Sequence, residues 1–310
     1  LHDGENQGVG EAAPVRQHHE TQQGVLEYLR ALPRLPDDPF CLEDILAGLP
    51  SGCQSARAAI DIALHDLLGK KLGQPLYRLF GLSPANSPPT SLTIGLGSRQ
   101  EVQQKARAAK DFRIIKLKFD ADESQCLQMV RAVREVSDAR LVADANCAWS
   151  EAQARRLIPA LADMGLEWIE QPLAEEDLEG LRRIRAFSPV PIFADEPVRR
   201  ARDIPRLAGC VDGVNIKLMK AGGLREALRM IAVARAHDLQ VMLGCMVETS
   251  VGITAAAHIA SLVDWADLDG NLSLTNDPFD GVTVCGDRFV LPNGPGLGVE
   301  SRSVSRTEGV

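Results

Sequence analysis

From residue 91 onward the sequence keeps one rhythm, in which short apolar, β-branched runs alternate with amphipathic stretches of helical period. The runs are SLTIGL (91–96), RIIKLKF (113–119), RLVADA (140–145), EWIEQ (167–171), PIFADE (191–196), DGVNIKL (212–218), LQVMLGC (239–245) and DWADLD (264–269). They recur at roughly 20–28 residues, the length of one βα unit. Stretches 123–136, 151–164 and 223–237 read as helices between them. Parallel neighbours need a crossover of this length, so the pattern predicts a parallel sheet. Eight such units predict closure into a TIM-like barrel. The competing open sheet usually carries a Gly-rich dinucleotide loop after its first strand, and none is present.

Residues 1–90 have a different texture. GVGEAAP (8–14) reads as a strand end and turn, residues 41–48 and 53–72 read as helices, and GLSPANSPP (81–89) reads as a linker. The chain starts at Leu1 in what reads as mid-domain sequence, so a preceding N-terminal segment is expected. The formal net charge is −8, without a basic stripe, so no nucleic-acid partner is expected. No apolar run is long enough to span a bilayer and no signal peptide is visible, so a cytoplasmic protein without membrane contact is expected. The seven cysteines, Cys41, Cys53, Cys126, Cys147, Cys210, Cys245 and Cys285, include no CxxC pair. Buried free thiols in a reducing compartment are expected.

Active sites of barrels of this type sit at the C-terminal ends of the strands. Several runs here end in charged residues that hydrophobic periodicity does not explain. Asp144, Glu170 and Asp195 come from three consecutive strands, about 4.8 Å apart. Three carboxylates without His or Cys make a hard oxygen site suited to one magnesium ion per subunit. The alternative, in which each caps a helix or pairs with a lysine, explains one such residue better than three at matching strand ends. Lys116 and Lys118 share a face of the second strand, and Lys217 ends the sixth. A buried ammonium beside other cations has a lowered pKa and can act as a base. Two lysines flanking the metal can take a proton from one face of a substrate and return it to the other. Magnesium stabilises the enediolate in between, a pairing of Lys base and magnesium long recognised for the enolase superfamily.

KLK (116–118), DAN (144–146), EQP (170–172), ADE (194–196) and NIKLMKAGG (215–223), with GEAAP and the 53–72 helix, resemble the muconate-lactonizing subgroup of the enolase superfamily. The resemblance implies an α/β fold, a (β/α)7β barrel with a smaller α+β capping domain, incomplete in this chain. It divides the chain into capping domain and linker (1–90), barrel (91–285) and a C-terminal segment packing back on the cap (286–310). It implies that Asp144, Glu170 and Asp195 bind magnesium and that Lys118 and Lys217 are the acid/base pair. Lys116 would support the substrate carboxylate, Thr93 would lie near the substrate, and Lys220 would be structural. Asn146 and Glu196 would stand behind the metal residues. A homo-oligomer is expected.

Members of this subgroup catalyse cycloisomerisation, dehydration to succinylbenzoate, N-acylamino acid racemisation or dipeptide epimerisation. ADLDG (266–270) separates them. Asp267 and Asp269 share one face and suit the free ammonium of a dipeptide, which charge-assisted hydrogen bonds recognise. The feature is similar to that of L-Ala-D/L-Glu epimerases, as is LGCMVETSVGITAAAH (243–258). That similarity implies that Cys245, Met246 and Val247 line the substrate, with Glu248 an acid behind them. A dipeptide epimerase, most simply acting on L-Ala-D/L-Glu, is therefore expected. The alternatives are an N-acylamino acid racemase or o-succinylbenzoate synthase, or a non-catalytic magnesium-binding barrel. Arg16 is a weak candidate for the substrate's second side chain; His18 and His19 read as solvated loop residues, with a place at the mouth of the site as the alternative.

Overall fold

The computed structural model describes residues 1–36 and 38–302. Eight parallel strands run in order β1 to β8: Leu92–Ile94, Ile114–Lys118, Arg140–Asp144, Leu166–Glu170, Ile192–Ala194, Gly213–Lys217, Gln240–Gly244 and Trp265–Asp267. The bridge between Thr90 and Ala266, with Ser91 N donating to Ala266 O at 3.0 Å, brings the first strand's entry beside the last strand. The expected barrel is therefore present.

Before the barrel come α1 (Gln22–Arg30), α2 (Leu42–Gly48), α3 (Gln54–Leu72) and α4 (Leu76–Leu79). The crossovers supply α5 (Arg99–Ala108), α6 (Glu123–Arg134), α7 (Glu151–Asp163), α8 (Leu178–Arg185), α9 (Leu218–Ala221), α10 (Leu224–Ala236) and α11 (Ser250–Ala257). Side-chain caps fix several of these starts. Ser98 and Ser150 form capping boxes with Glu101 and Gln153, and Asp122 and Asp177 accept from the first turns of α6 and α8. Among the described residues no helix follows β8, in keeping with a (β/α)7β order. Instead β9 (Phe279–Asp280), the β10–β11 hairpin (Thr283–Cys285, Arg288–Val290) and β12 (Glu300–Ser301) lead back across the surface.

Period-two alternation divides the barrel interior into an apolar end and a charged end. Ile114, Val142, Trp168, Phe193 and Met242 form one buried cluster, with Trp265 packed on it. Trp168 meets Trp265 edge-on at 5.7 Å and Phe193 at 4.9 Å. Gly213 leaves room for Phe193, whose ring carbons would lie 2.3 Å from a Cβ there. Two residues further along several of these strands the side chains become Lys116, Asp144, Glu170, Asp195 and Asp267. Burying charge opposes folding unless it is paired, so the apolar end and the helical jacket must carry the stability that the polar end does not.

Helix α3 is buried on two sides. Ile60 and Leu64 pack with Leu42, Ile45, Leu46 and Leu49, whereas Ala58 and Ile62 belong to the main core shared with the barrel. Carboxylates on α3 reach across. Asp61 accepts from Leu224 N (2.6 Å) and Arg225 N (3.3 Å) at the start of α10. The neighbouring Gly223 has φ 117°, and a Cβ there would stand 2.3 Å from the Asp61 carboxyl carbon. Asp66 accepts from Leu297 N at 2.7 Å, and Gly296 O from Leu76 N at 3.0 Å, so the chain after β11 returns to α3 and α4. Of the expected segment 286–310, residues 303–310 lie outside the described residues.

Two expectations differ locally. GVGEAAP forms no ladder strand; it is extended chain laid against α3, and residues 81–89 contain a 3-10 turn at Pro84–Asn86. All seven thiols are free, but only Cys126 and Cys210 are buried, whereas Cys41 and Cys285 are exposed. Short apolar context in the sequence does not distinguish an inward cysteine from one at a loop edge. No helix among the described residues is long and apolar enough to cross a membrane.

Candidate active site

Five consecutive strands deliver, in order, a lysine, three acids and a lysine. Lys118 ends β2, Asp144 ends β3, Glu170 ends β4, Asp195 follows β5 and Lys217 ends β6. Strand register sets Lys118 opposite Asp144, and Asp144 opposite Glu170. In a ring of eight strands, β2 and β6 are four apart in either direction, on facing walls.

Asp144, Glu170 and Asp195 are buried, and one carboxylate oxygen from each lies within 4.8 Å of the others. Oxygens bound to one magnesium at about 2.1 Å are at most about 4.2 Å apart, so a small inward shift satisfies the geometry. The donor set is all carboxylate, and Glu170 Oε2 receives no aligned hydrogen bond despite Lys116 Nζ at 2.6 Å. These residues fit a hard divalent cation. The backbone beyond two of the acids turns left-handed, with φ 42° at Asn146, 64° at Cys147 and 37° at Gln171. Asn146 N donates to Asp144 Oδ1 at 2.8 Å, and Asp195 N to Gln171 Oε1 at 2.9 Å, so these turns hold the acids in place.

Four ammonium groups crowd the acids. Lys118 Nζ lies 2.6 Å from Asp144 Oδ2 and Lys217 Nζ 2.8 Å from Asp195 Oδ2, while Lys220 also donates to the Asp195 carboxylate and carbonyl. Lys116, 1% exposed, donates to Asp267 Oδ2 at 2.7 Å. Burial raises Asp144, but Lys118 and Lys116 outweigh it and hold the acid below its ordinary range. For Asp195 burial is likewise outweighed, by Lys217 and Lys220. Glu170 is pushed up to about 7, first by burial and then by Asp144. A lowered pKa was expected for a base lysine. Lys220 shows it, through burial, but Lys217 is held above its usual value because Asp195 and Glu170 outweigh burial.

A cavity of about 540 Å³ opens over this cluster. Lys118, Lys217 and Asp195 face it from the barrel, and Asn146 and Glu196 border it. Thr93, Asp267 and Asp269 form the wall toward β1 and β8, and Cys245, Met246 and Val247 the wall after β7. Asp144 and Glu170 lie beneath. Lys116 lies beneath with them, and its ammonium meets Asp267, Glu170 and Asp144. Asp267 also accepts from Ser91 Oγ at 2.6 Å, and Asp269 from Thr93 N at 2.6 Å. Burial and the neighbouring Asp267 push Asp269 up to about 6. Glu248 sits behind its wall, accepting from Met246 N at 2.7 Å.

His18 borders the cavity, as the alternative had it, with Gln17 beside it; His19 and Arg16 are exposed, and Arg16 is not on the wall. Asn215 was not anticipated. Its Nδ2 donates to Glu170 Oε1 at 2.6 Å. It stands two residues before Lys217 on β6, so period-two alternation already placed it on the inward face.

The fold and site together define a barrel enzyme with a buried three-carboxylate cluster, able to hold a metal ion, between lysines on facing walls. Residues 7–81 match the mandelate racemase / muconate lactonizing enzyme N-terminal domain family, and residues 99–304 the enolase C-terminal domain-like family. The chain belongs to the enolase superfamily. It is 41% identical over 298 residues to the L-Ala-D/L-Glu epimerase of Bacteroides thetaiotaomicron, covering 94% of this chain and 77% of that protein. Among solved structures it resembles the dipeptide epimerase from Enterococcus faecalis complexed with Mg and L-Leu-L-Tyr, at 36% identity and TM-score 0.88, covering 95% and 88% of the two chains. It also resembles a substrate-liganded L-Ala-D/L-Glu epimerase from Bacillus subtilis, at 30% identity and TM-score 0.88, covering 96% and 88%.

Proposed function

We propose that this chain epimerises a dipeptide at the alpha carbon of its C-terminal residue, with magnesium held by Asp144, Glu170 and Asp195. The observation that carries the reading is the order Lys–Asp–Glu–Asp–Lys on β2 to β6, with the lysines on facing walls. Relatives named as dipeptide epimerases support it. When bound, magnesium supplies positive charge to the substrate carboxylate, without which an alpha proton is too weakly acidic for an amine to remove. Lys118 and Lys217 address opposite faces of that carbon. A neutral amine on one side accepts the proton, the ammonium on the other donates one, and the centre inverts. Asp267 and Asp269 suit the substrate's free ammonium. Residues 1–90 would then act as the cap, 91–285 as the catalytic barrel and 286–310 as a return onto the cap.

The simplest substrate reading is L-Ala-D/L-Glu. A second reading, an apolar dipeptide, is favoured by the cavity wall. Among the described residues its cationic groups are the two lysines and His18, and burial, then the Lys220 charge, holds His18 down at about 4. A library of L,L-dipeptides in deuterated water, with magnesium and with chelator, tests both. The expected result is one deuterium at the second residue's alpha carbon, abolished by chelator. Absence of incorporation from every dipeptide would leave no support for an epimerase.

A further inference from the structure

The wall formed by Cys245, Met246 and Val247 has no helix or strand of its own: residues 245–249 join β7 to α11 as irregular chain. Such a segment is shaped by whatever its backbone groups bond to. One anchor is local, from Met246 N to Glu248 Oε1. Another is Asp277, whose Oδ2 accepts from Ser250 N and Oγ, both at 2.8 Å. The third comes from the far end of the sequence. Glu11 accepts from Thr249 N at 2.8 Å, from Thr249 Oγ1 at 2.7 Å and from Gly252 N at 2.8 Å.

Glu11 is itself held firmly. It follows Gly8 and Gly10, which lie so close to α3 that a Cβ would stand 2.1 Å from Ala63 O and 1.9 Å from Ala59 O. Val9 N donates to Asp66 at 2.8 Å. The run is thus pressed along α3, and the Glu11 carboxylate projects from it onto the barrel. The chain just after β8 also closes in on this wall. At Gly270 a Cβ would stand 2.3 Å from Met246 O and 3.1 Å from Cys245 Sγ.

We infer that Glu11 is a positioning residue: through its carboxylate the capping region sets the form of the Cys245–Val247 wall, and with it the fit of the bound substrate. The inference rests on the cavity being the dipeptide site. Glu11 touches neither the lysines nor the three metal-site acids, so its loss falls on binding geometry more than on proton transfer. A misplacement near 1 Å can cost about 10²-fold.

Kinetics and hydrogen exchange on the full chain test this. Glu11→Ala is expected to raise KM by about 10- to 100-fold with kcat within about threefold, the pattern of lost binding with chemistry retained. Amides of 245–252 should exchange at least about tenfold faster without substrate, while those of α3 stay unchanged. Glu11→Gln, which keeps one of the two acceptor oxygens, should recover part of the loss. Thr249→Val, which removes only the hydroxyl, should shift KM in the same direction by less, and it carries both readouts if Glu11→Ala fails to fold. Unchanged KM and unchanged exchange in the variants that fold would overturn the assignment. Loosening that spreads into α3 would overturn it too, since that marks a general loss of docking. If the wild-type chain turns over no dipeptide, the functional reading fails, and the exchange measurement still decides whether Glu11 shapes the wall.

Discussion

Glu248 and His258 are buried in neutral forms and pull stability in opposite directions with pH. Burial pushes Glu248 up to about 8, a donor from Met246 N offsets part of this, and the Glu11 charge adds to it. Its folded pKa thus lies above its ordinary 4.5. The stability of the neutral form is fully present below about 4.5 and is lost as pH rises through about 8. His258 is held down at about 4 by burial, which outweighs its bond to Leu297 O. Nδ1 accepts from Tyr77 N at 3.2 Å, so Nε2 carries the proton and donates to Leu297 O at 3.1 Å. That contribution is fully present above about 6.5 and is lost as pH falls through about 4. Glu248→Gln should therefore lose less stability than wild type between pH 5 and 9, by on the order of 3 kcal/mol in urea titrations. Parallel curves would mean that Glu248 is already ionised in the fold. At this scale the convergence of Asp144, Glu170 and Asp195 with the flanking Lys118 and Lys217 was legible, because charge at a strand end has no packing explanation. The depth of Lys116 was not legible: sequence alternation gives the face of a strand, not how far along the barrel axis a side chain reaches.

At the scale of elements, the repeating βα lengths were readable because the chain must cross the sheet at a fixed cost in residues. The 41–48 and 53–72 helices were also readable, and α2 and α3 fall close to those bounds. GVGEAAP was not, since an extended segment bonded to no ladder leaves the same local pattern as a strand. Its glycines have a packing role instead. A methyl at Gly10 would collide with the backbone oxygen of Ala59, which cannot swing aside. Gly10→Ala should cost about 1–3 kcal/mol and lower the thermal midpoint, with the helical content by circular dichroism retained in the native state. A midpoint equal to wild type would show that the 8–14 run does not press on α3 as described.

Over the whole molecule, the cap meets the barrel and the C-terminal return through contacts that no local pattern announces: Asp61 to the start of α10 and Glu11 to α11, and Asp66 to Leu297. Their sequence separations exceed 160 residues, which is why only a resemblance, and not periodicity, suggested how the two parts combine. The proposed metal ion would also act at this scale, since an ion bound only by the folded chain stabilises all of it. Magnesium at a hundred times its dissociation constant should add about 2.7 kcal/mol. A rise in melting temperature with magnesium, absent in Asp195→Asn, is the expected result, and an equal rise in both would remove Asp195 from the ligands. The account as a whole depends on two amines working from opposite walls of the barrel. The direct measurement is alpha-proton exchange in deuterated water by Lys118→Ala and Lys217→Ala, each offered both epimers of a dipeptide that the wild type turns over. Each variant should lose about 10²- to 10⁴-fold in epimerisation while still exchanging one epimer, and the two variants should retain opposite epimers. Epimerisation near the wild-type rate in either variant, or exchange of the same epimer by both, would contradict it.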